Sequence, residues 1–246
     1  MSMKSVDPGR ESTPAPELRA PLPLFDPRQM PIATIGESLP AVHPERLGPD
    51  ALRSRFARPP SWQPEQSSDR YRADQSDPRD AAVLVPIVAH TSGTTVLLTQ
   101  RTWHLRHHSG QVAFPGGRIE SGDPSPVEAA LREAYEEVGL EASRVEVIGC
   151  LPEYLTGTGF RVTPVVGLVA PGFDLRPDPS EVAQVFEVPL AFLMDPRHHQ
   201  RRRVSMDAGE RHFFAMPWRP PGAADDHFIW GATAAMLRNL YRLLVA

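Results

Sequence analysis

Apolar and polar positions divide the chain near residue 80. Before that point apolar residues are scattered, and 14 of the 28 prolines fall in the first 80 positions. Proline lacks an N–H and fixes φ, so Thr13-Pro14-Ala15-Pro16 and Pro21-Leu22-Pro23 hold neither a helix nor a central strand. Residues 1–40 therefore read as extended or disordered. Pro49–Phe56 allows one short helix, with Leu52 and Phe56 at i, i+4. Residues 57–80 read as a polar linker, with Trp62 docking on the domain beyond it.

After residue 80 the pattern is that of a folded domain. Ala81–Ala89 is one continuous apolar run, as expected of a buried strand, and Pro86 within it predicts a bulge or a strand end. A turn at Ser92-Gly93 and the run Thr95–Thr99 complete a hairpin. Further strands are expected at Val145–Leu151, Val162–Val169 and Phe213–Trp218. Two amphipathic helices, Pro126–Val138 and Ile229–Val245, keep the 3.6 period on one face. Strands mixed with two such helices predict an α/β fold, a sheet sandwiched between helices.

Composition changes this picture little. The chain has 246 residues with 41% hydrophobic content, enough for one core and a tail. A net charge of −4 gives no nucleic-acid surface, and the basic run Arg197–Val204 reads as a solvated hairpin loop edging the site. No apolar run approaches the ~20 residues a membrane helix needs, and the first residues carry no apolar signal region. A single cysteine, Cys150, excludes an internal disulfide and fits a reducing, cytoplasmic compartment. Its strand-like surroundings predict an inert buried thiol. The adjacent pair His107-His108 points to opposite faces of a strand and has no zinc-ligand partner at the usual spacing.

The candidate chemistry lies in Gly116–Leu140, GGRIESGDPSPVEAALREAYEEVGL. Glu133, Glu136 and Glu137 are related by i, i+3 and i+4, so they share a helical face, and like charges there repel. They form either a solvated acidic face or a site where hard Mg²⁺ or Mn²⁺ is held by oxygen. Gly116-Gly117 lets backbone approach a ligand closely. The order Gly117, Asp123, Arg132-Glu133, Glu136-Glu137, Gly139-Leu140 resembles the Nudix box, G-x5-E-x7-R-E-U-x-E-E-x-G-U with U aliphatic. Asp123 stands where Glu is usual, eight residues rather than seven separate it from Arg132, and Ala134 is small for its aliphatic place.

The resemblance extends to both sides. Leu97–Arg101, Leu105-Arg106-His107, Gly110-Gln111-Val112 and Phe114–Gly117 are similar to LLTxR-x3-LRxHxGxVxFPGG, the signature of the coenzyme A pyrophosphatase branch of the Nudix family. Thr156–Val166, Pro177–Leu190 and the closing Trp230-Gly231-Ala232-Thr233-Ala234 also resemble that branch. The resemblance implies a Nudix-type α/β/α sandwich with a mixed sheet over residues 80–246, preceded by a Pro-rich extension over residues 1–79. A chain starting near residue 45 would then fold and stay active.

The resemblance further implies metal-dependent hydrolysis of the diphosphate of CoA or an acyl-CoA, a small-molecule substrate, with no nucleic-acid or membrane partner. A homodimer is compatible with it. Glu133, Glu136 and Glu137 would hold Mg²⁺ or Mn²⁺, Arg132 would orient a box carboxylate, and Glu133 or Glu181 would be the base. Arg101, Arg106, His107, Gly116, Gly117 and Thr158 would handle the anionic substrate. For Thr158 a plain hairpin turn accounts equally well for the pattern, and for Glu181 a carboxylate stabilising a turn. Two other readings stand beside this one. One is a Nudix hydrolase of another nucleoside diphosphate derivative, such as ADP-ribose or a dinucleotide. The other is a non-catalytic nucleotide-binding module, which the complete set of mutually repelling acids disfavours.

Overall fold

The computed structural model describes residues 25–65, 77–103, 109–206 and 209–246. In chain order the elements are β1 (Ile32–Ile35), α1 (Pro49–Ala57), β2 (Arg79–His90), β3 (Gly93–Arg101), β4 (Val112–Ala113), β5 (Gly116–Arg118) and α2 (Pro126–Val138). Next come β6 (Val145–Cys150), β7 (Tyr154–Leu155), β8 (Phe160–Val169), β9 (Val182–Pro189) and α3 (Leu190–Leu193). The last are β10 (Gln200–Met206), β11 (Gly209–Trp218), β12 (His227–Trp230) and α4 (Gly231–Val245).

The central sheet is mixed. β2 and β8 run parallel from Arg79↔Phe160 to Val88↔Val169, and the other pairings are antiparallel. Period-2 alternation sends the residues of β2 to opposite faces. Ala82, Leu84 and Val88 pack with Ala129, Ala130, Ala134 and Val138 of α2. Ala81, Val85 and Ile87 pack with Leu237, Leu240 and Leu244 of α4 and with Leu52 of α1. Helices thus cover both faces of a mixed sheet, the expected α/β architecture.

Pro86 neither bulges nor ends β2. The strand runs through it, with Pro86 opposite Gly167. On its other edge β2 changes partner at this point, from β5 at Ala81–Val83 to β3 at Ile87–His90. The missing N–H falls where no neighbour requires one.

Residues 25–44 also depart from the expected tail, whereas α1 and the docking of Trp62 agree with the expectation. β1 pairs antiparallel with β10, extending a second sheet of order β1-β10-β11-β12. Val42, Leu47 and Leu52 are buried, and Trp62 packs against the same core. Tyr241 donates its hydroxyl to Pro40 O (2.8 Å), and Glu65 N–H donates to Asn239 Oδ1 (2.8 Å). Proline is tolerated here because β1 is an edge strand.

The basic run is not a solvated loop. It forms most of β10, and the buried Arg202 guanidinium donates to the carbonyls of Pro27 (3.3 Å), Arg28 (2.6 Å) and Met30 (3.0 Å). Arg202 thus holds backbone of the same chain, whereas Arg201 and Arg203 are exposed. Two smaller differences concern the ends of elements. Ile229 and Trp230 end β12, and the last helix starts at Gly231. Cys150 is exposed at the end of β6, although partial burial of its thiol still raises its pKa and disfavours the reactive thiolate. Among the described residues no helix is long and apolar enough to cross a membrane.

A chain starting at residue 45 is therefore expected to be less stable. It loses Val42 from the core, worth about 1.5–3 kcal/mol, and leaves a buried guanidinium without its acceptors. Its melting temperature should fall by several degrees, measured by circular dichroism against the full chain. An unchanged melting temperature would show that the 25–44 segment is only draped on the surface.

Candidate active site

α2 starts and stops where its sequence directs. Ser125 caps the N-terminus, accepting from Val127 N–H (3.2 Å), and Pro126 occupies the first turn, where no N–H is needed. Gly139 ends the helix at φ 73°, a left-handed conformation that favours glycine. Between these ends the small residues Ala129, Ala130 and Ala134 let the helix lie close on the sheet, placing Glu133 and Glu137 beside β5.

Glu137 is 5% exposed. Gly116 N–H donates to its Oε2 (3.2 Å), and Arg101 Nη1 lies 3.6 Å from its Oε1. Burial pushes its carboxyl up to about 7, although Arg101 and the Gly116 bond oppose that. Burial also raises Glu133, against the pull of Arg132. Gly116 has φ 156°, and a Cβ there would lie 2.5 Å from Ala82 O. At Gly117 a Cβ would lie 2.5 Å from Glu133 Oε1. Gly117 thus leaves room for Glu133, and Gly116 lets the backbone pass close to β2 while its N–H reaches Glu137. Gly117→Ala is expected to displace Glu133, and a shift near 1 Å lowers turnover by about 10²-fold. Unchanged kcat would show that the Glu133 position does not matter.

Arg132 binds the acidic loop to the helix. Its Nε and Nη2 donate to the two Asp123 oxygens (2.9 Å each), and Nη2 also donates to Arg118 O (3.1 Å). Nη1 reaches Glu133 Oε1 (3.1 Å) and Glu136 Oε2 (2.9 Å). The Arg132 bonds hold Asp123 at about 2, well below the usual carboxylate range. Asp123, in the sequence only a departure from the box pattern, is thus the main anchor of Arg132. Its spacing from Arg132 was the available signal.

Glu181 reaches the same place from a distant loop. Arg176 N–H donates to Val138 O (2.8 Å), and Asp178 N–H donates to Glu137 O (2.9 Å), docking this loop on the end of α2. Thr102 N–H donates to Glu181 O (2.9 Å). Arg101 consequently stands between two acids, with Nη2 3.6 Å from Glu181 Oε2 and Nη1 facing Glu137. Its Nε is buried and has no hydrogen-bond partner among the described residues.

The structure therefore brings together Arg101, Gly116, Gly117, Glu133, Glu137 and Glu181, with Arg132 behind them. Glu136 is more exposed and turned to Arg132. Thr158 sits in the turn between β7 and β8, its hydroxyl 3.0 Å from that of Thr156, which is the geometry of a hairpin turn. That turn lies at the sheet end where Phe160 packs between Arg79 and Arg118. Arg106, His107 and His108 lie outside the described residues.

The donors suit a hard divalent cation, since Glu133, Glu137 and Glu181 offer only oxygen. The raised pKa of Glu137 shows a buried carboxylate that the nearby cation does not fully neutralise. Among the described residues no three acidic, histidine or cysteine side chains converge into a ready cage. The Arg101 and Arg132 pairings hold these acids in their present positions.

Comparison with known proteins gives the family. The uncharacterized Nudix hydrolase NudL of Escherichia coli (strain K12 / DH10B) is 46% identical over 165 residues, covering 66% of this chain and 81% of that protein. The protein of the same name from Shigella boydii serotype 18 matches equally. Among solved structures, an Ap4A hydrolase of C. elegans superposes with TM-score 0.40 at 20% identity, over 45% of this chain and 80% of that one. The NUDIX domain model matches residues 78–208, more than half of the chain. On that match and on the 46% identity, the chain belongs to the Nudix family.

Proposed function

We propose that this Nudix hydrolase cleaves the diphosphate of coenzyme A or an acyl-CoA, giving 3′,5′-ADP and 4′-phosphopantetheine or its acyl form. One observation carries the reading of an active hydrolase: the buried Glu137 and the partly buried Glu133 lie against the Gly116–Gly117 backbone with Arg101 beside them. The choice of CoA rests on the Leu97–Gly117 signature.

Glu133 and Glu137 would be the first ligands for Mg²⁺ or Mn²⁺, and Glu136 would be the third on release from Arg132. Bound there, the metal would supply Lewis-acid polarisation of the phosphoryl group and charge neutralisation. The other tasks fall to the chain. Arg101 pairs with non-bridging phosphate oxygens, exchanging its two long contacts to Glu137 and Glu181 for charge-assisted bonds. Arg106 and His107 add positive charge to the same anion. Arg132 holds Glu133 in place, and Asp123 holds Arg132. Glu181 is half-exposed and only 3.6 Å from Arg101 Nη2 among the described residues, so it suits the base that takes the proton of the attacking water; Glu133 is the alternative. The Gly116 N–H fixes Glu137, and Gly117 leaves room for Glu133.

A competition assay tests the substrate. CoA, ADP-ribose and a dinucleotide are mixed with the protein and Mn²⁺ or Mg²⁺, and disappearance of each is monitored. CoA should be consumed fastest. Clear preference for ADP-ribose or the dinucleotide would assign the chain to another Nudix activity.

A further inference from the structure

Helix α1 carries two kinds of arginine. Arg53 is paired: Nε and Nη2 donate to the Glu146 carboxylate (2.8–3.1 Å), and Nη1 donates to Asp50 (2.6 Å). Arg55 and Arg58 form no ion pair among the described residues. Positions 51, 54 and 55 share a helical face, and Arg58 is the capping residue just beyond the C-terminus of α1. Arg46, from the turn before α1, closes the same hollow. Arg46, Ala51, Ser54, Arg55 and Arg58 line a cavity of about 360 Å³.

Three guanidiniums in one hollow repel one another, and none loses its proton at any ordinary pH. Burial and the Arg46 charge both disfavour the charged form of Arg55. Arg46 has a partial duty elsewhere, donating from Nη1 to Leu244 O and Val245 O at the end of α4 (3.2 Å each). Arg55 and Arg58 have no such duty. The unbalanced charge fits an anion, and guanidinium forks match phosphate oxygens. Ala51 and Ser54 keep the floor of the hollow low, and the Ser54 hydroxyl adds a donor. The volume exceeds that of a bare phosphate, and the hollow is open to solvent.

We propose that this hollow binds the phosphate group of a soluble phosphomonoester. The site is separate from the Gly116–Glu137 group. Phe56 of α1 lies on Gly149 of β6, whereas Gly116 and Gly117 lie on β5, and β8 and β2 intervene. A membrane lipid such as phosphatidic acid offers the same headgroup, but a concave hollow suits a free small molecule better than a flat bilayer. Occupancy draws Arg46, Arg55 and Arg58 around one anion and ties α1 to the end of α4.

Calorimetric titration of the full chain with glycerol 3-phosphate, without divalent metal and at fixed ionic strength, tests this. Wild type and Glu137→Gln should bind it saturably with the same affinity. Affinity should fall at least tenfold in Arg55→Gln/Arg58→Gln and fall measurably in Arg58→Gln alone. The double variant, freed of like-charge repulsion, should melt no lower than wild type without ligand. No saturable binding by wild type, equal affinity in the double variant, or binding only to phosphatidic acid vesicles would overturn the proposal.

Discussion

Glu137→Gln is expected to lower turnover by orders of magnitude while leaving the metal-free protein at least as stable as its parent above neutral pH. The amide keeps the shape of the side chain and can still accept from Gly116 N–H. It loses the charge, and an amide is a weaker ligand for a hard cation. The stability effect comes from burial. In the fold Glu137 titrates near 7 rather than at its ordinary 4.5, so the native state holds its proton more tightly than the unfolded chain. The stability gained this way is full below about 4.5 and is lost as pH rises to about 7. Metal-free wild type should therefore lose stability across that window, on the order of 3.5 kcal/mol at about 1.4 kcal/mol per pKa unit. Glu137→Gln should show a shallower slope. Added Mn²⁺ should restore the wild type at high pH and do much less for the variant, because only a ligand of the native state stabilises it. Melting temperatures from pH 4 to 8, with and without Mn²⁺, read both effects. Wild-type turnover together with wild-type metal stabilisation in the variant would remove Glu137 from the site.

Arg132→Gln should fail for a different reason. The substitution removes both bonds to Asp123, the bond to Arg118 O and the pairs with Glu133 and Glu136. The Asp123 carboxylate then keeps only Glu120 N–H (2.8 Å), and the acidic loop loses its tie to α2. Glu133 loses the partner that fixes its direction, and kcat should fall by about 10²-fold or more, since small misplacement of a reacting group is costly. The acid limb of stability changes as well. Asp123 titrates near 2 in the fold, below its ordinary 3.8, so its contribution is present above about 3.8 and lost as pH falls to about 2. Arg132→Gln should lose that contribution and melt lower at neutral pH. Arg132→Lys keeps the charge without the planar fork and should recover only part of either property. Equal kcat in all three proteins would reduce Arg132 to a surface helix pair.

The fold was legible where apolar period and burial coincide. β2, α2 and α4 announce themselves because each is long and buries a face on one core. The edge elements did not. β1 has four exposed residues among prolines, and it is held by pairing with β10, 165 or more positions away. Arg202 looked solvated because its neighbours are basic. Its acceptors are carbonyls near residue 28, which no local pattern reveals. The site divides the same way. Glu133, Glu136 and Glu137 were visible as a local helical cluster and Gly116-Gly117 as a place of close backbone approach, but that the approach at Gly117 is to Glu133 appears only in the fold. That Arg101 stands between Glu137 and Glu181 depends on a loop docking on the end of α2 and brings together residues 80 positions apart, Arg101 and Glu181. Pro86 misled because the rule against proline in strands concerns the paired edge position, and β2 changes partner there.

The most direct test is to incubate the full chain and Glu137→Gln with CoA and Mn²⁺ or Mg²⁺ and to resolve the products by mass. Wild type should yield 3′,5′-ADP and 4′-phosphopantetheine in equal amounts, only with metal, and Glu137→Gln should yield almost none. CoA left intact while ADP-ribose is cleaved, or equal product from both proteins, would contradict the proposed activity.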